Sequence, residues 1–372
     1  MPLHYCFLTG AYHRDDALMY YRQGKSLAAA GYRVTYVLCD GLPDENKDGI
    51  YMTSTGFTPS NREEKFFKTG KKVLEKALEI DADIYQLSDP GLVGIIKPLK
   101  KKGKKVLFNV RELYYFSILQ KYYIPKCFRH IVAYNFNNKM VKALRLCDAI
   151  CAVDSSIIDF YSKYNISNIH LITNFPLIRK EFSLSFEAYK KRGNVLCYEG
   201  TIYKDSRQEN FFDVLERLPG ICYLMAGVIE DKNEKIKEHP YWAKVNFMGR
   251  FRPEDLPSIF SQASISNVTR DLHGLDGSYG ILKIYESMEA ALPVLLPDVP
   301  LYRNMLKKYP CGICVNPNDK QAIRDALEYL STHKEEAYKM GQEGRRAVLE
   351  EYSWDREFEK YRLIIEGVAK RH

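Results

Sequence analysis

The sequence lacks a long apolar run. No stretch approaches the roughly 18–20 consecutive apolar residues that a membrane-spanning helix requires. The N-terminal stretch MPLHYCFLTG is apolar but short. It has neither a basic leading segment nor a small-residue cleavage site, so it predicts a first β-strand rather than a signal peptide. We therefore expect a cytoplasmic protein.

Signals for metal, disulfide and nicotinamide sites are also missing. The close cysteine pairs, Cys311 with Cys314 and Cys147 with Cys151, are accompanied by neither a second pair nor histidines at metal-ligand spacing. We expect reduced, buried thiols and no metal site. The sequence contains no Gly-x-Gly-x-x-Gly after its first predicted strand, which disfavours a nicotinamide-dependent dehydrogenase.

The C-terminal half carries no net charge. Residues 1–178 contain 25 Lys and Arg against 17 Asp and Glu, so the net charge of +8 belongs to this half. A basic half indicates an anionic partner. Because no nucleic-acid-binding motif is present, we expect no nucleic acid and favour an anionic membrane surface or a phosphorylated acceptor.

Basic segments at 62–76, 97–105 and 113–136, two of them rich in aromatic residues, are typical of a surface that lies on anionic lipid. Such a surface would make the protein peripheral on the inner face of the membrane. An ordinary solvated face with core aromatics is the alternative.

Short β-rich runs alternate with helical patterns along the whole chain. The predicted strands lie at 3–10, 33–40, 82–88, 104–110, 148–153 and 168–174, and then at 194–200, 221–228, 244–250, 263–268, 292–298 and 312–317. This alternation predicts two parallel sheets covered by helices, that is, two Rossmann-like domains. We place the domains at 1–178 and 179–352, with a terminal helix at 353–372. We expect ligands at the carboxyl ends of the strands, in a cleft between the domains.

Several motifs occur in a characteristic order. They are RQGKSLAAAGYRVTYV, LITNFPL, VLCYEGTIYKDSRQ, ILKIYESMEAALPVL and EEYSWDREFEKYRLI. Together they make the chain resemble the retaining glycosyltransferases of family four, which have the GT-B fold. The resemblance implies two Rossmann-like domains facing a central cleft, with C-terminal helices packing back on the N-terminal domain. It assigns acceptor binding to domain 1–178 and nucleotide-sugar binding to domain 179–352.

The resemblance implies a donor site that works without a metal or other cofactor. Glu286 would hold the ribose hydroxyls, and Lys283, three residues earlier on the same helix face, would supply a catalytic cation. An exposed Lys–Glu helix pair is the alternative. The backbone of Ser278, Tyr279, Gly280 and Ile281 would face the diphosphate.

Further donor-site residues follow two strands. Arg207 would stabilise the leaving diphosphate and is the main catalytic candidate, with Lys204 beside it. Gly249 and Arg250 would lie against the nucleobase, although Gly249 is also explained as a tight turn.

The sequence departs from the family in its N-terminal domain and in one donor-site loop. The two usual histidines are replaced, in QLSD by Gln86 and in NVRE by Arg111. Gln86 is assigned to the acceptor side. A catalytic role for Arg111 and a structural Arg111–Glu112 pair both stay open. In the donor-site loop, Ser278 occupies the position of the family's first glutamate, eight residues before Glu286.

The loop after the first strand supplies the remaining acceptor-side candidates, Gly10, His13 and Arg14. His13 is alternatively an ordinary loop histidine. We expect a retaining glycosyltransferase that moves a sugar from a nucleotide-sugar donor to a lipid-linked glycan acceptor in surface polysaccharide or lipopolysaccharide biosynthesis. A non-catalytic glycan- or nucleotide-binding scaffold subunit and a sugar-nucleotide 2-epimerase of the same fold are the alternatives.

Overall fold

The chain folds into two units. A computed structural model describes residues 2–61, 64, 68–121, 123–182, 185–272 and 282–370. Unit 1 comprises Met1–Asn174 together with Glu357–His372, and unit 2 comprises Phe175–Arg356. Each unit is built around its own sheet.

The sheet of unit 1 has eight strands within the described residues. They are β1 (His4–Leu8), β2 (Arg33–Leu38), β3 (Glu45–Lys47), β4 (Ile50–Ser54), β5 (Ile84–Leu87), β6 (Lys105–Val110), β7 (Ala149–Ala152) and β8 (Ile169–Leu171). Their order is β3-β4-β2-β1-β5-β6-β7-β8, and every pair is parallel except β3 with β4. The central strands are buried because helices cover both faces, which explains their continuous apolar sequences.

The edge pair β3–β4 is absent from the predicted strands. β3 has the sequence Glu-Asn-Lys and is fully exposed, so it carries no apolar alternation that would predict a strand. A short, charged edge strand is nevertheless a common way to protect the end of a sheet.

The helices of unit 1 follow the strands in the predicted alternation. They are α1 (Lys25–Ala29), α2 (Thr69–Ile80), α3 (Ile96–Lys101), α4 (Tyr114–Leu119), α5 (Lys126–Leu144) and α6 (Ser155–Ser162). A π-helical turn at Met19–Gly24 leads into α1, and a 3-10 turn at Pro90–Ile95 leads into α3. Asp154 caps α6 by accepting a hydrogen bond from the N–H of Ile157.

The sheet of unit 2 is entirely parallel. Its described strands are β9 (Val195–Glu199), β10 (Cys222–Ala226), β11 (Val245–Gly249), β12 (Ile265–Asn267), β13 (Val294–Pro297) and β14 (Gly312–Val315), in the order β11-β10-β9-β12-β13-β14. The α-helices are α7 (Phe186–Lys190), α8 (Gln208–Leu215), α9 (Leu256–Ser261), α10 (Leu282–Glu289), α11 (Pro300–Lys308), α12 (Lys320–Thr332) and α13 (Lys334–Glu350).

The two C-terminal helices pack on different units. Helix α13 crosses α10 at Gly341, where a Cβ would overlap the carbonyl oxygen of Ala291. Helix α14 (Trp354–Lys370) belongs to unit 1 from Glu357 onward. Glu357 accepts a hydrogen bond from the N–H of Thr173 at 3.1 Å. The last helix therefore packs back on the N-terminal unit, as the sequence predicts, while α13 remains part of unit 2.

Candidate functional site

The strand order in the sheet of unit 2 changes direction at β9. The chain places β10 and β11 on one side of β9 and then β12, β13 and β14 on the other. In parallel α/β sheets, ligands bind outside the carboxyl ends of the strands at such a switch point. Glu199 ends β9 and Asn267 ends β12, so these residues mark the candidate site.

Two glycines shape the backbone at this edge. Gly200 has φ +102° and Gly227 has φ +144°, conformations that side-chain-bearing residues rarely adopt. A Cβ on Gly227 would overlap the carbonyl group of Gly200, so the loops after β9 and β10 touch through their backbones. Gly249 has φ +70°, and its carbonyl oxygen accepts a hydrogen bond from the N–H of Gly227 at 2.7 Å. Gly249 thus has the tight-turn conformation predicted as its alternative role.

Helix α10 brings Lys283 and Glu286 to the switch point. Nζ of Lys283 donates a hydrogen bond to Oη of Tyr198 at 2.9 Å and lies 4.0 Å from the centroid of the same ring. Glu286 is buried, with 7% of its surface exposed. The alternative of an exposed Lys–Glu helix pair is therefore wrong, because the carboxylate faces the interior and the ammonium lies over an aromatic ring.

Glu199 is a site residue that the sequence prediction missed. It is buried, and its Oε1 has no hydrogen-bond partner among the described residues. Burial and, secondarily, the negative charge of Glu286 raise the pKa of Glu199 to about 8, against the opposing effect of Lys283. The available signal was a carboxylate at the last position of the otherwise apolar strand Val-Leu-Cys-Tyr-Glu.

Arg207 is held by a partner from the loop after β12. It has left-handed backbone geometry at φ +49°, and its Nη2 lies 2.8 Å from Oδ2 of Asp271. Arg270 makes a parallel ion pair with Asp205 at 2.7 Å, and the N–H of Asp271 donates to the carbonyl oxygen of Asp205. We call these two ion pairs the clasp, because they join loop 204–207 to loop 269–272.

The other predicted donor-site residues are less constrained. Lys204 and Arg250 are exposed. Ser278, Tyr279, Gly280 and Ile281 lie outside the described residues, so their assignment to the diphosphate stays a prediction.

In unit 1, Arg111 follows β6 and pairs with a residue that was not foreseen. Its Nη1 donates to Oδ2 of Asp16 at 2.9 Å, and its guanidinium lies 4.1 Å from the centroid of the Tyr12 ring. Glu112 instead accepts a hydrogen bond from Oγ of Ser117. The predicted Arg111–Glu112 pair is therefore wrong in its partner. Burial opposes ionisation of Asp16, but the hydrogen bonds and charge of Arg111 prevail and lower the pKa of that carboxyl.

Gln86 lies in the core of unit 1, and its assignment to the acceptor side is wrong. Its side chain is fully buried. Its amide donates to Oε1 of Gln23 at 2.8 Å, and its own Oε1 accepts hydrogen bonds from the hydroxyls of Tyr5 and Tyr361. These hydrogen bonds link Tyr5 of β1, Gln86 of β5 and Tyr361 of α14.

The remaining acceptor-side candidates, in the loop after β1, have different surroundings. Arg14 forms ion pairs with Asp40 at 2.7 Å and with Glu45 at 3.3 Å. His13 is exposed, as expected of an ordinary loop histidine. A Cβ on Gly10 would overlap the methyl group of Thr69, so this glycine allows the loop to approach α2.

A cavity of about 570 Å³ opens at the carboxyl ends of β1, β5 and β6 in unit 1. This edge is also a switch point, because β2 and β5 lie on opposite sides of β1. The cavity is lined mainly by apolar and aromatic side chains of α4, α5 and the loops before them. Its polar lining residues include Asp89, Glu112, Lys121 and Thr69. The hydroxyl of Thr69 is buried and has no hydrogen-bond partner among the described residues.

Other predicted features concern cysteines, metals and membranes. All nine cysteines are free thiols, and burial raises the pKa of Cys314 to about 11. Across the described residues, no group of three His, Cys, Asp or Glu side chains is arranged to hold a metal ion. Within the same residues, none of the helices combines the length and apolar character that a membrane crossing requires.

Comparison with known proteins gives a match to a sequence family and matches to solved structures. Residues 180–347 match the family described as glycosyl transferases group 1. A sequence comparison with curated proteins gave no match. Sucrose-phosphate synthase from Thermosynechococcus elongatus is structurally similar with a TM-score of 0.77 and 17% sequence identity, covering 98% of this chain and 100% of that one.

Two further structures share the fold over nearly the whole chain. Anabaena HepE in complex with UDP and glucose has a TM-score of 0.70 and 12% identity, covering 99% of each chain. WaaG, a glycosyltransferase involved in lipopolysaccharide biosynthesis, has a TM-score of 0.69 and 15% identity, covering 97% of this chain and 99% of that one. The protein therefore has the two-domain GT-B fold, and its residues 180–347 match the glycosyl transferases group 1 family.

Proposed function

We propose that the protein is a retaining glycosyltransferase that takes a sugar from a nucleotide-sugar donor. The observation that carries the proposal is the position of Lys283 and Glu286 at the switch point of unit 2. A lysine directed by Tyr198 and a buried carboxylate meet there, inside the segment that matches glycosyl transferases group 1. This pairing suits a nucleoside diphosphate, which presents phosphate oxygens to a cation and ribose hydroxyls to a carboxylate.

In the proposed reaction, protein cations meet the charge of the leaving diphosphate. Lys283 and, once released from Asp271, Arg207 are the candidate groups for this work. The bond between the anomeric carbon and the phosphate oxygen breaks as the acceptor oxygen bonds to the same face. The proton of the acceptor hydroxyl passes to the leaving phosphate. This assignment needs no bound metal.

We further propose that the acceptor is an amphiphile bound in the cavity of unit 1. The cavity combines apolar and aromatic walls with the unpartnered hydroxyl of Thr69, so it offers both an apolar surface and a hydrogen bond. Helix α5, whose Val132 and Phe136 line the cavity, also exposes Phe128, Ile131 and Tyr134. Lys126 and Arg129 belong to the same helix, and exposed aromatics beside cations favour an anionic membrane surface.

These features support a lipid-linked glycan acceptor, peripheral attachment to the cytoplasmic face of a membrane, and a role in surface polysaccharide synthesis. The likeness to WaaG, which acts in lipopolysaccharide biosynthesis, adds support for that role.

The donor half of the proposal is tested by thermal unfolding in the presence of nucleoside diphosphates and nucleotide sugars, beginning with UDP and UDP-glucose. A ligand that binds only the native state must raise the melting temperature. Lys283→Met should weaken nucleotide binding about tenfold or more, because a charge-assisted contact is lost. Lys307→Met, on the exposed face of α11, is the matched control. If no nucleotide stabilises the wild-type protein, the transferase assignment is wrong. Binding without transfer to any acceptor would indicate the scaffold alternative.

The acceptor half is tested by sedimentation with vesicles containing anionic lipid. The wild-type protein should bind at low salt and lose affinity as ionic strength rises, because the attraction is screened. Combined Phe128→Ser and Ile131→Ser substitutions should abolish binding. The same change at Leu363, an exposed residue of α14, should not. Equal binding by all three proteins would contradict the assignment of this surface.

A further inference from the structure

We propose that Glu199 is a ligand-binding residue of the donor site, where its free Oε1 hydrogen-bonds a hydroxyl group of the nucleotide sugar. The proposal rests on the function proposed above and adds to it a residue that lies within the motif VLCYEGTIYKDSRQ but to which the sequence analysis assigned no role. The hydroxyl belongs either to the transferred sugar or to the ribose, and the experiment below separates the two.

The position of Glu199 is the first argument. It is the last residue of β9, the strand at the switch point, and it directly precedes Gly200. The preceding residue, Tyr198, holds Lys283 through its hydroxyl. Tyr198 thus contacts the proposed phosphate-binding lysine, and the next residue, Glu199, carries the unpartnered carboxyl oxygen.

The unsatisfied oxygen is the second argument. Buried polar atoms are almost always hydrogen-bonded, since a buried group without a partner loses its hydration and gains nothing in exchange. Oε1 of Glu199 is buried and unpartnered within the described part of the chain. Asn267, at the end of β12, is by contrast hydrogen-bonded: it donates to Oη of Tyr223 and accepts from the hydroxyl of Thr269. In the clasp, Oδ1 of Asp205 is also buried without a partner among the described residues, but the other oxygen of that carboxylate is paired with Arg270. A buried oxygen without a hydrogen-bond partner at the switch point indicates a position where a ligand binds.

The protonation state is the third argument. Burial and the charge of Glu286 raise the pKa of Glu199 to about 8, so at neutral pH the carboxyl group retains its proton. A neutral carboxyl group both donates and accepts, which matches a hydroxyl group. It also places no negative charge beside a diphosphate, whereas an ionised Glu199 would repel one.

Among the residues that the structure describes, few other titratable groups surround Glu199. Helix α10 contributes Glu286 and Lys283, and β9 itself contributes the thiol of Cys197. The residue opposite on β10 is Ala226. The loop after β12 contributes charges that are already neutralised in the clasp, Arg270 by Asp205 and Asp271 by Arg207.

The direction of the pH dependence follows from these charges. Below about pH 8 the protonated form binds the ligand, and above it the site must take up a proton on binding. Affinity should then fall by up to about tenfold for each further pH unit. The variant Glu199→Gln keeps both hydrogen-bonding roles in similar volume but cannot ionise, so its affinity should be nearly independent of pH in this range.

The test is calorimetric titration of the full chain with a nucleotide sugar and with the matching nucleoside diphosphate, from about pH 6 to about pH 9. The variants are Glu199→Gln and Glu199→Ala. The matched control is Glu289→Gln, another buried glutamate of unit 2 with its pKa raised by burial, to about 7, but paired with Arg179. We expect Glu199→Ala to lose about tenfold in affinity at neutral pH. A loss for the nucleotide sugar alone places the hydroxyl on the sugar, and a loss for both ligands places it on the ribose.

Circular dichroism and the unliganded melting temperature show whether each variant folds. The proposal is overturned if wild-type binding is independent of pH and Glu199→Ala binds both ligands normally, in which case the transferase assignment still stands. It is also overturned if Glu289→Gln, rather than Glu199→Gln, removes the pH dependence. If the wild-type protein binds no nucleotide at any pH, the proposed function fails and this inference fails with it.

Discussion

The carboxyl edges of the two sheets differ in how their charged side chains are satisfied. In unit 1, Arg111 is paired with Asp16, and Arg14 is paired with Asp40. In unit 2, the clasp pairs Arg207 and Arg270 with aspartates, but Lys283 is held by the neutral hydroxyl of Tyr198, and Oε1 of Glu199 has no partner among the described residues. Charges that neutralise each other hold loops in place. A cation held only by a neutral group, or a buried polar atom without a partner, marks where a charged or polar ligand completes the structure.

The largest expected effect comes from breaking the ion pair of unit 1. Asp16→Ala leaves Arg111 largely buried without its counter-charge, and removal of one partner of a buried pair typically costs about 3–5 kcal/mol. Urea denaturation should show this loss in the free energy of unfolding. The double variant Asp16→Ala with Arg111→Met should recover most of it, because it leaves no buried charge.

The same pair predicts a pH dependence of stability. The pKa of Asp16 is lower in the folded state than in the unfolded chain. Its contribution is therefore complete above the unfolded value of about 3.9 and is lost as the pH falls through the lower, folded value. In acid denaturation, the stability of Asp16→Ala should not show this pH-dependent loss. If Asp16→Ala is as stable as the wild type at neutral pH, the pair does not hold the loop, and Arg111 becomes available as a catalytic group.

The contrast between the units explains which parts of the site the sequence predicts. Lys283 and Glu286 lie one helical turn apart, so their spacing alone puts them on one face. Arg111 and its partner are 95 residues apart, and Gln86 and Tyr361 are 275 residues apart. No local pattern reveals such pairs, and for this reason Gln86 was assigned to the acceptor side and the structural alternative for Arg111 named the wrong partner.

The fold itself was predictable because its signal is repeated. The central parallel strands are apolar runs buried on both faces, the edge strands β8 and β11 are only partly buried, and the strands alternate with helices throughout. The exceptions are the two strands of the edge pair: β3 is charged and exposed, and β4 is mostly buried but was not predicted either. Glu199 was missed for a related reason: a single carboxylate at the end of an apolar strand resembles a surface residue until the structure shows that it is buried.

A further prediction separates structural from functional polar residues. Gln86→Leu removes the acceptor of the Tyr5 and Tyr361 hydroxyls and should destabilise the protein by about 1–3 kcal/mol. Its nucleotide affinity, and the KM for any acceptor found, should be unchanged. Lys283→Met should show the opposite behaviour, with normal stability and weakened nucleotide binding. A raised acceptor KM in Gln86→Leu would restore this residue to the acceptor site.

The smallest expected effect concerns the clasp of unit 2. About a third of the Arg207 side chain is exposed, at 34%, so its pair with Asp271 should contribute only about 0.5–1 kcal/mol to stability. Asp271→Asn keeps the shape of the residue but removes its charge. If the clasp holds Arg207 away from the diphosphate, the variant should bind nucleoside diphosphate a few-fold more tightly, with a steeper dependence on salt, because the guanidinium is released. Asp298→Asn, which removes the partner of Arg303 in an exposed pair of the same unit, is the control. Weaker binding by Asp271→Asn would mean the reverse: that Asp271 positions Arg207 for the phosphate, and that both units use ion pairs to build their sites.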